Sequence, residues 1–271
     1  MILENPQHRS FNLESSESYP GRLRVDQTPG SLIGVGGFKT AQSGLLMLTP
    51  PPWSGLGSKP SQDVVVKRPY FVHSILPADT SSGPPPGGGK CGKCEKRRIQ
   101  RLTLADELPK LHREANTLYW AKALLTMTYD FIDCAIASAN PPPFDIPRLR
   151  FVEAGLALAH SQPTNVSDKS QFAGTLVSGV FLLEELIEGG SAVFTKFIHN
   201  MDCGPSLDED EQGYDVAEFL AFTQHVQYIK TGKLAFISDY QGRWSSLTEH
   251  WLTIFIGSTM LLTDPQILTD P

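Results

Sequence analysis

An α+β fold in two lobes is predicted: a strand-rich N-terminal lobe, one long helix, and a shorter C-terminal lobe, with a cleft between the lobes. Three observations predict it. The stretch 31–66 carries apolar runs of strand type, above all Val64-Val65-Val66. Residues 109–138 place Leu111, Ala115, Leu118, Leu125, Tyr129 and Ile136 close to one helical face. Beyond them, short strand-like runs surround one amphipathic helix at 215–230.

Taken in order, residues 1–22 are polar, without a period, and are expected to be a flexible leader. Residues 31–48 read as strand, turn, strand, with the turn at Gly34-Val35-Gly36-Gly37. Residues 64–67 read as a buried strand ending in Lys67. The segment 77–96, rich in Pro and Gly, cannot bury a core and is expected to be a flexible loop. Pro109 suits the first turn of the long helix, and Asn140-Pro141-Pro142-Pro143 ends it. Residues 149–158, 176–187 and 233–238 read as further strands. Asp215 is the expected N-cap of the second helix, and Thr231-Gly232 its stop. The lobes are placed at 23–183 and 184–271.

Composition excludes several function classes. With 40% hydrophobic and 19% charged residues, the chain is globular in type. A net charge of −6 argues against a nucleic-acid partner. The longest apolar run, 251–262, is interrupted by Gly257 and Ser258 and is too short to span a bilayer, so no membrane partner is expected. The N-terminus has no basic region followed by an apolar stretch, so a cytoplasmic location with free thiols is expected.

Phosphoryl transfer needs a glycine-rich turn that phosphates can approach, a cation on a rigid strand, and hard oxygen ligands for Mg²⁺. Gly34, Gly36 and Gly37 offer the turn, although a plain hairpin has the same composition. Lys67 offers the cation; a lysine at a strand end also snorkels to water. Glu114 on the long helix could pair with Lys67 or be an ordinary exposed glutamate. Asp239-Tyr240-Gln241-Gly242, leaving a strand, aims a carboxylate and an amide at one point, and a turn is the alternative. Asp264, stiffened by Pro265, supplies a second carboxylate.

In order along the chain, these motifs resemble the alpha-kinase family from about residue 24 onward. The run from Gly34 through Phe38, Lys39, Thr40 and Ala41 is similar to its phosphate loop, with Lys39 where the family has Arg. Residues 64–67 resemble its ATP-binding lysine strand. Leu182 to Gly189, then Phe194-Thr195-Lys196, resembles the hinge that holds the adenine. Residues 222–242 and Leu262-Thr263-Asp264-Pro265 resemble the catalytic core. The resemblance implies an ATP-dependent serine/threonine protein kinase using Mg²⁺, with a protein substrate. By position, Lys67 with Lys39 would contact the phosphates, and Glu184 and Lys196 would serve the hinge. Asp239 would be the catalytic and metal-binding aspartate, Gln241 a Mg²⁺ ligand, and Asp264 the second carboxylate. Lys39, Lys67, Glu184, Asp239 and Gln241 are expected to line one cavity sized for a magnesium nucleotide.

Two departures qualify that expectation. Residues 243–257 interrupt the run from Gln241-Gly242 to Asp264 and read as an insertion or a retained intron. His225 matches the first ligand of the family's structural zinc, but the sequence ends before the cluster that supplies the others, so no bound zinc is expected. An inactive kinase-like module that binds nucleotide or protein is the alternative function. Cys91 and Cys94 form an isolated Cys-x-x-Cys without partners at zinc spacing.

Overall fold

The computed structural model describes residues 18–75, 96–139, 142–161, 176–187, 194–200, 202–244 and 260–269. Most of the leader, the Pro/Gly segment with Cys91 and Cys94, and the inserted segment from 245 lie outside the described residues.

The N-terminal strands are β1 (Gly21–Val25), β2 (Leu32–Val35), β3 (Lys39–Leu48), β4 (Gln62–Ile75) and β5 (Lys96–Arg101). With β7 (Ala154–Ser161) and β8 (Leu176–Glu185) they form a seven-stranded antiparallel sheet, ordered β1-β3-β4-β8-β7, with β2 on β3 and β5 on β4. The two-residue period of a strand divides its side chains between two faces. Val64, Val66 and Leu183 pack with Leu46 on one face. Lys67, Leu182 and Glu184 point to the other, where Leu182 joins the main core.

The long helix α1 (Leu104–Ser138) packs on β4, β7 and β8 of this sheet and on the elements that follow it. It starts earlier than its sequence suggests. The Thr103 hydroxyl accepts a 3.3 Å bond from the Asp106 amide and so caps the helix there. Pro109 therefore lies inside the helix, not in its first turn; it and Ala105 are exposed, so the carbonyl that loses its donor faces water. The expected strand at 149–158 is two strands. β6 (Leu149–Phe151) pairs in parallel with β12 (Met260–Thr263), and β7 starts after the break at Val152-Glu153.

The C-terminal elements are β9 (Thr195–Lys196), α2 (Tyr214–Lys230), β10 (Ala235–Ser238), β11 (Gln241–Trp244), β12 and β13 (Gln266–Thr269). They build a four-stranded sheet, β6-β12-β11-β9, and a two-stranded one, β10-β13. Gly213, in the left-handed region at φ 97°, precedes α2; Asp215 lies in the first turn and is not the N-cap. Thr231 ends α2, and Gly232 follows at φ 69°. β10 begins at Ala235, two residues later than expected, because Lys233 at φ 70° is still in the turn. Leu111, Leu118, Leu125, Leu182, Leu220, Ile237 and Leu262 share one core that joins α1, α2 and all three sheets. Among the described residues no helix is long and apolar enough to cross a membrane.

Candidate active site between the sheets

Strand register gathers the upper side of the site. Ala41 and Lys67 are paired across β3 and β4, as are Lys67 and Leu182 across β4 and β8. Lys39, two residues before Ala41, and Glu184, two after Leu182, therefore share the face and lie diagonally next to Lys67. Lys67 Nζ lies 2.7 Å from Glu184 Oε2, and the two side chains are only 9% and 3% exposed.

The lower side is made by two tight corners. Asp239-Tyr240 links β10 to β11, and Asp264-Pro265 links β12 to β13. Because β10 pairs with β13 and β11 with β12, the corners lie side by side. Both aspartates adopt left-handed backbone, φ 59° and 48°, a conformation Asp tolerates better than most residues. Each carboxylate takes an amide from the opposite corner. Gln241 Nε2 donates to Asp264 Oδ2 and Gln266 Nε2 to Asp239 Oδ2, both at 3.3 Å. Tyr240 points the other way, fully buried, with its hydroxyl 3.2 Å from Thr223 Oγ1 and 3.3 Å from Gln227 Nε2.

Asp264 joins the two sides. Its Oδ1 accepts from Lys67 at 2.8 Å and from Lys39 at 3.0 Å. Lys39 Nζ also forms an ion pair with Glu114 Oε2 at 2.8 Å. Thr263 donates to Glu184 Oε2 at 2.7 Å and accepts from Lys67 at 3.2 Å. Burial works against the charge of Lys67, but Glu184 and Asp264 outweigh it and raise its pKa. Lys39 is raised in the same way, chiefly by Asp264 and Glu114 against burial. Burial also opposes the Asp264 carboxylate, yet the two ammoniums hold it well below its usual range. Two lysines thus face three carboxylates, a net charge of −1 for Lys39, Lys67, Glu114, Glu184 and Asp264.

The cavity among these groups, lined by Lys39, Glu114, Leu118, Leu182, Glu184 and Asp264, measures about 30 Å³. That is room for a water molecule, whereas small-molecule sites run to hundreds of Å³, so among the described residues the expected nucleotide-sized cavity is not formed here. Lys39 and Asp264 lie across it and fill the space with their own pairing. Glu184 Oε1 is buried without a hydrogen-bond partner, an acceptor aimed at nothing in the protein.

The other predicted residues fall around this centre. Lys67 pairs with Glu184 and Asp264, so Glu114 is the partner of Lys39 and not of Lys67. Lys196, on β9 opposite Gln241, pairs with Asp239 Oδ1. Of the residues expected to share one cavity, only Lys39 and Glu184 line it; Lys67, Asp239 and Gln241 adjoin it, Lys67 and Gln241 through Asp264. Gly34 ends up within β2, and Gly36 and Gly37 in the turn before Lys39, where Tyr70 donates its hydroxyl to the Gly36 carbonyl. A Cβ at Gly34 or Gly37 would meet nothing within 4 Å, and at Gly36 only the Lys39 carbonyl at 3.6 Å. Packing in the fold therefore leaves room for a side chain at all three. His225 is exposed on α2. Among the described residues no three His, Cys, Asp or Glu side chains gather to hold a metal. Sequence reasoning missed Thr263 and Gln266; the second was signalled by the repeat of Asp-x-Gln at 239–241 and 264–266.

A strand-rich sheet, a long spanning helix and a lysine–carboxylate centre between sheets define a kinase-like α+β protein. A family model described as the alpha-kinase family matches residues 111–271, and the chain belongs to that family of protein kinases. No curated protein matches in sequence. Solved structures to which the chain is similar include the alpha-kinase domain of myosin-II heavy chain kinase A in complex with adenosine. It is 13% identical with a TM-score of 0.46 and covers 92% of this chain and 73% of its own. The inactive domain of the same kinase complexed with ATP is 13% identical, with TM-score 0.41 and coverage of 91% and 76%. A C-terminally truncated alpha-kinase domain of myosin heavy chain kinase is 12% identical, with TM-score 0.45 and coverage of 91% and 76%.

Proposed function

We propose that this chain binds magnesium ATP between its sheets and transfers the γ-phosphoryl to a serine or threonine hydroxyl of a protein. The observation that carries the reading is the convergence of Lys39, Lys67 and Asp264 from different sheets on one point, beside an unpartnered buried carboxylate oxygen of Glu184. Buried ammonium groups on adjacent strands suit phosphate oxygens, and family membership supplies the reaction class.

In this reading Lys39 and Lys67 leave Asp264 Oδ1 and take phosphate oxygens in its place. The glycines at 34, 36 and 37 let the turn come close to the phosphates; their lack of steric need within the fold supports that use. Glu184 keeps Lys67 in place, and Lys196 orients Asp239. The donor set fits a hard cation: Asp239, Asp264 and the Gln241 side-chain oxygen are oxygen ligands at adjacent corners. Magnesium bound there with the nucleotide would offset phosphate charge, which a centre of net −1 does not do alone. The P–O bond to the leaving diphosphate breaks as the acceptor oxygen bonds to phosphorus. The acceptor proton passes to a carboxylate, assigned to Asp239. Asp264, released by the two lysines, would serve that cation as an oxygen ligand.

Incubation with Mg-ATP labelled in the γ position and a mixed protein acceptor tests this. Incorporation of label that Asp239→Ala and Lys67→Ala abolish supports it, and none from the unaltered chain rejects it. The small, self-paired cavity favours a second reading, an inactive module. Nucleotide-dependent thermal stabilisation without transfer would select that reading.

A further inference from the structure

We propose that Glu114 is a positioning residue for the nucleotide phosphates, acting through Lys39; the proposal rests on the nucleotide reading above. Each cleft lysine has two acidic neighbours and shares one of them. Asp264 Oδ1 takes both ammoniums, while Glu184 belongs to Lys67 alone and Glu114 to Lys39 alone. The cavity holds about 30 Å³, so a polyphosphate reaches the lysines only by displacing Asp264. After that exchange each lysine keeps its private carboxylate.

For Lys67 that anchor is reinforced, because its side chain is enclosed and Thr263 also contacts it. Lys39 is different. It is the first residue of β3, directly after the glycine turn, and its side chain is 23% exposed. Without Glu114 its long side chain has solvent to explore, and ordering it again on a phosphate costs rotamer entropy. The helix that carries Glu114 is anchored independently of Lys39. Two helical turns earlier on the same face, fully buried Glu107 makes a two-point pair with Arg68, at 2.8 and 3.0 Å. That pair ties α1 to β4 and so fixes the stretch of helix that carries Glu114.

The test is calorimetric titration of Glu114→Gln with Mg-ATP and, separately, with adenosine, which has no phosphate to sense Lys39. Affinity for ATP is expected to fall about tenfold, with adenosine unchanged. In a Lys39→Met background the same substitution is expected to add nothing, and Glu114→Asp to regain part of the loss. Unchanged ATP affinity, a parallel fall for both ligands, or a full extra loss on top of Lys39→Met overturns the proposal. A wild-type chain that binds neither ligand rejects the nucleotide reading first and this role with it, before any substitution is made.

Discussion

Asp239 and Asp264 occupy matching corners: each begins an Asp-x-Gln triplet, each has a left-handed backbone, and each accepts an amide from the other's triplet. Their cationic partners differ. Asp239 pairs with Lys196 of the four-stranded sheet next to it, whereas Asp264 takes Lys39 and Lys67 from the large sheet opposite. Equivalent local geometry thus makes two carboxylates available, and long-range register decides which one bridges the two sheets.

The largest effects test that difference directly. Asp239→Ala and Asp264→Ala are each expected to reduce phosphoryl transfer by about a hundredfold or more. Combined with Lys67→Ala, the Asp264 change should be far from additive and the Asp239 change nearly additive, read from kcat/KM of the single and double variants. Equal coupling for both aspartates would erase the comparison.

Stability separates the two lysines next. Lys67→Ala leaves the 3%-exposed Glu184 carboxylate without its cation and should cost about 3 kcal/mol in urea unfolding. Lys196, 28% exposed, should cost less than about 1 kcal/mol. Acid adds a smaller, signed effect. The pKa of Asp264 is depressed in the fold, so its contribution is complete above the ordinary carboxylate value near 4 and is lost as pH falls below it. Asp264→Asn should therefore flatten the acid-side decline of the thermal midpoint. The raised lysines keep their charge on the alkaline side, so the Lys67→Met penalty should be constant from about pH 5 to 9. The smallest effect is at the turn: Gly37→Ala should leave the thermal midpoint unchanged while weakening ATP binding a few-fold.

Much of the centre was legible because strand periodicity is short-range. Val64-Val65-Val66-Lys67 announces a buried strand, and two-residue alternation fixes which face Lys67 takes. The partner of Glu114 was not legible. Lys39 and Lys67 point to the same face, and only the lie of α1 against β4, pinned by Glu107 and Arg68, selects between them. The start of α1 was misplaced because Pro109 is a strong N-terminal signal locally, while the Thr103 cap wins once the helix is anchored by Glu107. Asp264 as the bridge depends on pairing between β6 and β12, more than a hundred residues apart, which no local pattern encodes. The size of the cavity likewise follows from side-chain pairing across the cleft.

The central claim is that Lys39 and Lys67 exchange Asp264 for nucleotide phosphate. Calorimetric titration of the unaltered chain and of Lys67→Met with Mg-ATP tests it most directly. Saturable binding by the first, weakened at least tenfold in the second while adenosine affinity is retained, is the predicted result. Equal ATP affinity in both would contradict it.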